Sequence, residues 1–445
     1  LQYRFVYDNF REKGKTKMNL TKQFFKYVSQ NILGMIGFSC YVLADSYFIS
    51  IAKGADGLTA LNLVMPLYSI IFSIGEMIGV GSAIRYAISK IKKDADADDY
   101  FWNALIWCIL SSMLFVFAGI FFSADIMRVL GADEHIVAVG NNYTKIFMCF
   151  APMFMCNYVT NAFVRNDGAP GIAMSATLFS SLFNIVFDYI LMFPMNLGME
   201  GAALATALSP IIGMGICSIH FFSKKSSVRL VVCKPSVRKL VAGSQLGVSA
   251  FVGEMSSAVI TLAFNFVILK LAGNVGVAAY GVVANIAIVT TAVFNGVAQG
   301  SQPLISSCFG RGDKDGCTQL KRMGYTTAFV LAAVMYSILF IFAGQFVAVF
   351  NSEGSEMLRL YATEGVKLYF IGIFFAGINI VGGGAFSATE DAFKAAVVSV
   401  ARGFVLILGA VFVMSALFGM TGVWLAYAVA EGITTFIMLV MVLRV

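Results

Sequence analysis

Long apolar stretches recur along almost the whole chain, and they are the feature that most constrains its fold. Each has about twenty residues or more, enough for an α-helix to cross about 30 Å of hydrocarbon. Hydrophobic residues make up 59% of the 445 residues and charged residues 12%, against about 25% charged in soluble domains. The pattern predicts an all-α integral membrane protein and excludes a soluble enzyme. We place about twelve spans, near residues 31–51, 60–89, 100–122, 136–161, 170–194, 199–223, 240–270, 277–307, 320–343, 357–386, 394–416 and 421–443.

Basic residues in the joining segments predict the orientation of the spans. They concentrate at every second junction, on the same side as residues 1–26, whereas the opposite junctions hold few. Because positive residues mark the cytoplasmic side, we expect both termini in the cytoplasm. Residues 1–26 then form a basic cytoplasmic leader, in which Met18 is a candidate natural start that would make residues 1–17 non-native. The basic residues of these junctions are Lys90, Lys92, Lys93, Lys224, Lys225, Arg229, Lys234, Arg238, Lys239, Arg311, Lys314, Lys321 and Arg322.

The chain repeats short glycine motifs at an offset of roughly 220 residues, which indicates an internal duplication. Six spans in each copy is an even number, so the copies share one orientation and are related by an axis along the membrane normal. We therefore expect two six-helix lobes, residues 27–223 and 240–445, joined by a basic cytoplasmic linker at 224–239. The repeated motifs are Gly54-x-x-Gly57-x-x-Ala60 with Gly273-x-x-Gly276-x-x-Ala279, Gly81-Ser82 with Gly300-Ser301, and Gly198-Met199-x-Gly201 with Gly419-Met420-x-Gly422.

A few ionisable residues lie inside the apolar stretches. Each costs several kcal/mol in lipid by most estimates, so each is a functional candidate. Glu254 could face a central cavity, and Glu76 is as readily structural as functional because it shares a helix with Arg85. Arg85 and Arg402 lie nearer the cytoplasmic ends, where they can snorkel to the surface, and Glu431 has no evident partner. The acidic residues within spans are Asp45, Glu76, Asp188, Glu254 and Glu431.

One group of polar residues falls at a common depth in the first half of the chain. Asp45 and Asp188 each lie about 9 Å from the outer end of a span, and Thr206 lies about 10 Å down the next one. Asn184 and Asp188 are four residues apart, so they share one face of a helix. An all-oxygen set suits Na⁺ or a shared proton better than a soft transition metal. The competing interpretation is structural: Asn184 would hydrogen-bond between helices, and the carboxylates would fasten helices at a high cost.

The motifs around these residues resemble those of the multidrug and toxic-compound extrusion (MATE) family, over nearly the whole chain after about residue 20. The resemblance implies two six-helix lobes that form a V, alternating access, and export of lipophilic, often cationic drugs in exchange for Na⁺ or H⁺. It also implies a bacterial-type antiporter that works as a monomer in the bacterial cytoplasmic (inner) membrane. The matching segments are Leu43-Ala44-Asp45, Asn184-x-x-x-Asp188, residues 198–206, Gln302-Pro303-Leu304-Ile305-Ser306 and Gly419-Met420-Thr421-Gly422-Val423-Trp424.

The resemblance also assigns roles to the polar residues within the spans. Glu254 resembles a glutamate of the seventh span that some branches of the family use. Such branches commonly also have an aspartate in the tenth span, yet residues 369–386 contain no carboxylate. The resemblance therefore favours the first lobe as the coupling site, with Glu254 and Glu76 as candidates for substrate binding or second-lobe coupling. The positions that match the family's first-lobe cation site are Asp45, Asn184, Asp188 and Thr206.

Other activities fit the sequence less well. No phosphate-binding glycine loop or nucleophile elbow is present, so we do not expect ATP-driven transport. A lipid-linked oligosaccharide flippase would need a strongly basic cavity, yet Arg85 and Arg402 are the only deep cations that the predicted spans place near the cytoplasmic side. An intramembrane aspartyl enzyme could use Asp45 and Asp188 as a pair, but Asn184 and the repeat favour transport. We expect an ion-coupled transporter without a cofactor, which binds small lipophilic cations, contacts membrane lipid and has no nucleic-acid partner.

Overall fold

The computed structural model describes residues 20–350 and 355–443, and this part of the chain is almost wholly α-helical, with no β-strand in it. Nine helices among these residues are long and apolar enough to cross a membrane, and a pair of shorter helices bent by 46° makes a tenth span. Two of the nine contain a break, which brings the described chain to twelve spans. The predicted all-α membrane protein with twelve spans is confirmed. Residues 1–19 of the predicted leader, with the candidate start Met18, lie outside the described residues.

We label the spans α1 to α12 in chain order. The first six are α1 Leu20–Gly54, α2 Asp56–Lys92, α3 Asp99–Val129, α4 Glu134–Cys149 with Ala151–Asn166, α5 Pro170–Met192 and α6 Gly198–Phe221. The second six are α7 237–272, α8 274–310, α9 Lys314–Ile341, α10 Glu356–Ala388, α11 392–418 and α12 420–443. A short helix Ala343–Phe350 follows α9, a 3₁₀ turn Phe370–Gly372 lies within α10, and a π-helical turn Ala401–Val405 lies within α11.

The first span is longer than the sequence predicted. α1 begins at Leu20, so residues 20–26, assigned above to the leader, are helical. Phe24 and Val28, one turn apart on this extension, are buried in a hydrophobic core that is otherwise formed by the second half of the chain. This burial is the physical reason that the helix continues into a polar, basic segment, because burying an apolar side chain contributes about 1.5–3 kcal/mol.

The repeated glycines mark the ends of helices. Gly54 and Gly273 have φ of 59° and 62°, and Gly198 and Gly419 have φ of 51° and 58°. Glycine reaches positive φ without the steric cost that other residues incur. The first pair separates α1 from α2 and α7 from α8, while the second pair begins α6 and separates α11 from α12. The sequence repeat therefore reflects the same backbone conformation at matched points in the two halves.

The buried side chains form two main cores. One is built by α1–α6, with Val228 of the linker and Leu246 of α7 added to it. The other is built by α7–α12, with Phe24 and Val28 of α1 added to it. Each set of six helices therefore has its own core, and the predicted architecture of two six-helix lobes is confirmed.

The lobes pack closely on the side that carries the basic junctions, here called the basic side. A Cβ added to Gly81 of α2 would lie 2.7 Å from the Gly247 nitrogen of α7, and one added to Gly300 of α8 would lie 2.8 Å from Val28 Cα of α1. Small residues at these positions let the helix backbones approach closely. Gly81 and Gly300 are matched residues of the repeat, so the two contacts are pseudo-symmetric. The lobes are closed against each other on the basic side.

The segment between α6 and α7 is bonded to the first lobe. Asp167, which follows α4, accepts a hydrogen bond from the Ser227 backbone N–H at 2.9 Å and lies 2.8 Å from His220 Nε2. The side chains of Asp167 and His220 are both almost fully buried. Asn103 of α3 accepts a hydrogen bond from the Ser236 backbone N–H at 2.6 Å. The linker is thus attached to α3 and α4 up to the residue before α7.

Candidate cation site and central cavity

Four polar side chains from α1, α5 and α6 meet inside the first lobe. Asn184 and Asp188, one helical turn apart on α5, are fully buried. Thr206 of α6 is 2% exposed and Asp45 of α1 is 6% exposed. Asn184 Nδ2 donates to Thr206 Oγ1 at 3.2 Å, and Asp188 lies close enough to Asp45 for the two charges to interact. The structure brings together the four residues that the sequence placed at one depth.

A close contact between α5 and α6 positions this group. A Cβ added to Gly201 would lie 2.8 Å from the carbonyl carbon of Leu191, so only glycine permits this approach. Ala202 and Ala205, on the same stretch of α6, are fully buried. Small residues of this kind let two helices in lipid pack backbone to backbone. The packing holds Thr206 within hydrogen-bonding distance of α5.

Four oxygen atoms of this group are buried and have no hydrogen-bond partner in the described part of the chain. They are Asp45 Oδ1, Asn184 Oδ1 and both carboxylate oxygens of Asp188. Buried acceptors in folded proteins nearly always have a partner, and an orphan costs about 1–3 kcal/mol, or more when charged. A bound cation or a proton would supply what these oxygens lack. Carboxylate and amide oxygens fit a hard cation such as Na⁺.

The second lobe contains a buried ion pair on α11 and α12. Arg402 donates from Nη2 and Nε to Glu431 Oε1, at 2.7 and 3.0 Å. Asn379 of α10 donates to Glu431 Oε2 at 2.7 Å and accepts from Thr435 at 3.0 Å. The interpretation of Glu431 as lacking a partner and of Arg402 as snorkelling is therefore wrong. The π-helical turn contains Arg402 itself, so the helix distortion and the ion pair fall at the same place.

A cavity, here called the central cavity, is lined mainly by the first lobe, with Glu254 of α7 and Gln299 of α8 added from the second lobe, and it carries most of the remaining buried charge. Glu76 of α2, Arg165 of α4 and Glu254 of α7 line it, and Thr206 of the cation site also reaches its wall. Aromatic and amide side chains complete the wall, which leaves room for an apolar body held by a few polar groups. These further lining residues include Phe38, Tyr41, Phe72, Phe154, Asn157, Tyr158, Asn161 and Gln299.

Sequence reasoning missed Arg165, which is 4% exposed and lies in the cavity wall. Its Nη1 donates to Gln299 Oε1 at 2.6 Å, and Gln299 Nε2 donates to Glu76 Oε1 at 3.2 Å. The statement that Arg85 and Arg402 are the only deep cations is therefore wrong. The signal was the spacing of Asn157, Asn161 and Arg165, four residues apart, which places them on one face of α4.

Arg85 also has a partner. Its guanidinium pairs with Glu390, which lies between α10 and α11, and Lys92 Nζ lies 3.4 Å from the other oxygen of Glu390. Because Arg85 and Lys92 belong to the first lobe and Glu390 to the second, these contacts bridge the lobes on the basic side. They add a charged contact to the glycine contacts described above.

Comparison with known proteins places the chain among membrane transporters. The sequence model described as MatE matches residues 31–190 and 250–413, and the two matches begin 219 residues apart. A multidrug export protein, MepA, of Staphylococcus aureus strain MRSA252 is 27% identical over 405 residues, covering 88% of this chain and 87% of that protein. The MepA protein of Staphylococcus saprophyticus is 26% identical over 400 residues, with the same coverage.

Two solved structures share the fold. One is the outward-facing conformation of a multidrug resistance MATE family transporter, with a TM-score of 0.89, 20% identity and coverage of 96% of both chains. The other is a MOP superfamily transporter from Pyrococcus furiosus, for which a binding pocket of reverse polarity suggests a different function. It has a TM-score of 0.86 and 20% identity over 96% of this chain and 97% of that one. At this identity the likeness establishes the fold alone.

Proposed function

This chain belongs to the MATE family of membrane transporters and is not an enzyme, and from that premise we propose that it exports lipophilic, cationic compounds in exchange for Na⁺ or H⁺ by alternating access. The names of its relatives, multidrug export proteins, support the export of drugs. The observation that carries the coupling is the set of four orphaned buried oxygens at Asp45, Asn184 and Asp188. The cavity carboxylates Glu76 and Glu254 support a cationic substrate.

The distribution of basic residues supports an orientation for this cycle. With the basic side in the cytoplasm, both termini are cytoplasmic and the described conformation is closed towards the cell interior. A monomer in a bacterial cytoplasmic membrane would then release substrate outwards from this state and rebind it after the basic side opens. The cation can drive the change only if it binds the two states with different affinity. Thr206 contributes to both the cation group and the cavity wall, and so links the two events.

The alternative of an oligosaccharide flippase finds less support. Its anionic substrate would need a basic cavity, whereas the described cavity wall has two carboxylates, Glu76 and Glu254, for the one guanidinium of Arg165. An intramembrane aspartyl enzyme is excluded by the family. Export in exchange for a cation is the function that the site supports best.

Efflux from proteoliposomes tests the proposal. We expect Asp188→Asn to abolish gradient-driven efflux of a lipophilic cation such as ethidium, because the amide cannot supply the charge that holds the coupling ion. Asp125→Asn makes the same chemical change at an exposed position and should retain efflux. A Na⁺ gradient and a pH gradient, applied separately, identify the ion. Wild-type efflux by Asp188→Asn would refute the coupling role.

A further inference from the structure

The central cavity contains charges of both signs. Glu76 and Glu254 come from different lobes and are partly or wholly buried, and neither forms a direct ion pair in the described chain. Arg165 lies in the same wall and is 4% exposed. The two carboxylates attract the cationic part of a ligand, and Arg165 attracts an acidic part. The cavity is therefore complementary to a ligand that carries both signs.

Arg165 is only partly satisfied by the protein. One of its terminal nitrogens donates to Gln299, and Gln299 donates in turn to Glu76, so the side chain of Gln299 lies between Arg165 and Glu76. Its Nε is buried and has no hydrogen-bond partner in the described residues. A charged donor buried in this way is costly unless it meets an acceptor. Arg165 is therefore a cavity-lining cation with one hydrogen-bond donor that has no acceptor in the described residues.

The chemistry of a guanidinium decides which group would complete the site. Its planar array of donors matches a carboxylate better than any neutral acceptor. We propose that Arg165 is a subsite for the acidic group of amphoteric compounds, whose cationic group lies towards Glu254 and Glu76. This inference rests on the proposed export function and narrows its substrates. Compounds with a single amine and a single carboxylate would satisfy both ends of the cavity.

A matched pair of ligands tests the subsite. Rhodamine B carries a xanthylium cation and a free carboxylate, while its ethyl ester keeps the cation and loses the acid. We expect Arg165→Gln to weaken the binding of rhodamine B relative to its ester about 10- to 100-fold, the value of a hydrogen bond to a charged group. Fluorescence anisotropy of both dyes on the purified protein gives the ratio. The control Arg128→Gln removes an exposed guanidinium on α3 and should leave the ratio unchanged.

The outcomes separate this inference from the proposed function. An unchanged ratio in a folded Arg165→Gln protein, or an equal loss for both dyes, would overturn the subsite. If that variant does not fold, the affinities of the two dyes for the wild type decide. Without a subsite, the carboxylate of rhodamine B would be buried without a partner, and the ester would bind at least about 100-fold more tightly than the acid. With the subsite, we expect the two dyes to bind with similar affinity. Cation-driven efflux of the ester by the wild type tests export itself, and its failure would refute export without altering the binding ratio.

Discussion

The first and second lobes differ in whether their buried carboxylates have hydrogen-bond partners within the protein. In the first lobe, Asp188 has two oxygens without partners in the described chain, and Asp45 has one. In the second lobe, Glu431 accepts from Arg402 and Asn379, so its cation is part of the protein. A tethered guanidinium cannot leave, whereas a bound ion can. In line with the proposed coupling role, we expect the first lobe to exchange a cation, whereas the buried carboxylate Glu431 of the second lobe is neutralised by Arg402.

The largest expected effect comes from removing the tethered cation. Arg402→Met should destabilise the protein by about 3–5 kcal/mol, because it leaves a buried carboxylate without its counter-charge. Unfolding of the purified protein in detergent measures the change. The double variant Arg402→Met with Glu431→Leu replaces both charges by apolar groups and should recover most of the loss. A single variant as stable as the wild type would show that the second-lobe pair is not what neutralises Glu431.

A second prediction concerns the exchangeable cation. If the first lobe binds Na⁺, a Na⁺ concentration 100 times the dissociation constant should stabilise the folded protein by about 2.7 kcal/mol. Asp188→Asn should lose this stabilisation because it removes a ligand, whereas Glu431→Gln should keep it, although its starting stability is lower. Unfolding in NaCl and in KCl at equal ionic strength measures the difference. If Na⁺ still stabilises Asp188→Asn, the ion binds elsewhere in the protein. If Na⁺ does not stabilise the wild type, H⁺ is left as the coupling ion.

A smaller loss of stability is expected at the matched glycines of the two lobes. Gly54→Ala and Gly273→Ala should each cost about 1–3 kcal/mol, because both positions have a backbone conformation that side chains rarely adopt. A Cβ would meet nothing within 4 Å at either site, so the cost is conformational and should be similar in the two lobes. Gly409→Ala, which also has open space but a helical conformation, should be neutral or stabilising. Unequal costs at Gly54 and Gly273 would argue against a matched backbone.

The cation group was predictable from sequence because its geometry follows from counting along helices. Asn184 and Asp188 share a face by helical periodicity, and Thr206 follows a glycine that fixes the start of α6. The architecture was predictable for the same reason, since spans and a repeat are linear features. The roles of these residues in coupling stay predictions.

The contacts between distant helices could not be predicted in this way. The pairing of Arg402 with Glu431 depends on how α11 rotates against α12, and the π-helical turn that contains Arg402 has no sequence signature. Arg165 meets Gln299 only because the two lobes come together. The extension of α1 into the basic leader likewise depends on a core formed by the other lobe. Each of these features is set by tertiary packing rather than by local pattern.

The attachment of the linker to the first lobe has a consequence for where the angle between the lobes can change. Because Ser227 and Ser236 are bonded to Asp167 and Asn103, we expect the segment before α7 to move together with the first lobe. A change of angle between the lobes must then be absorbed within α7 itself. Gly243 and Gly247, in the first turns of α7, pack against α2, and a Cβ added to Gly247 would lie 2.0 Å from the Met77 carbonyl oxygen. We therefore expect the bend to fall beyond Gly247, within the membrane-spanning part of α7, rather than in the loop that connects the lobes.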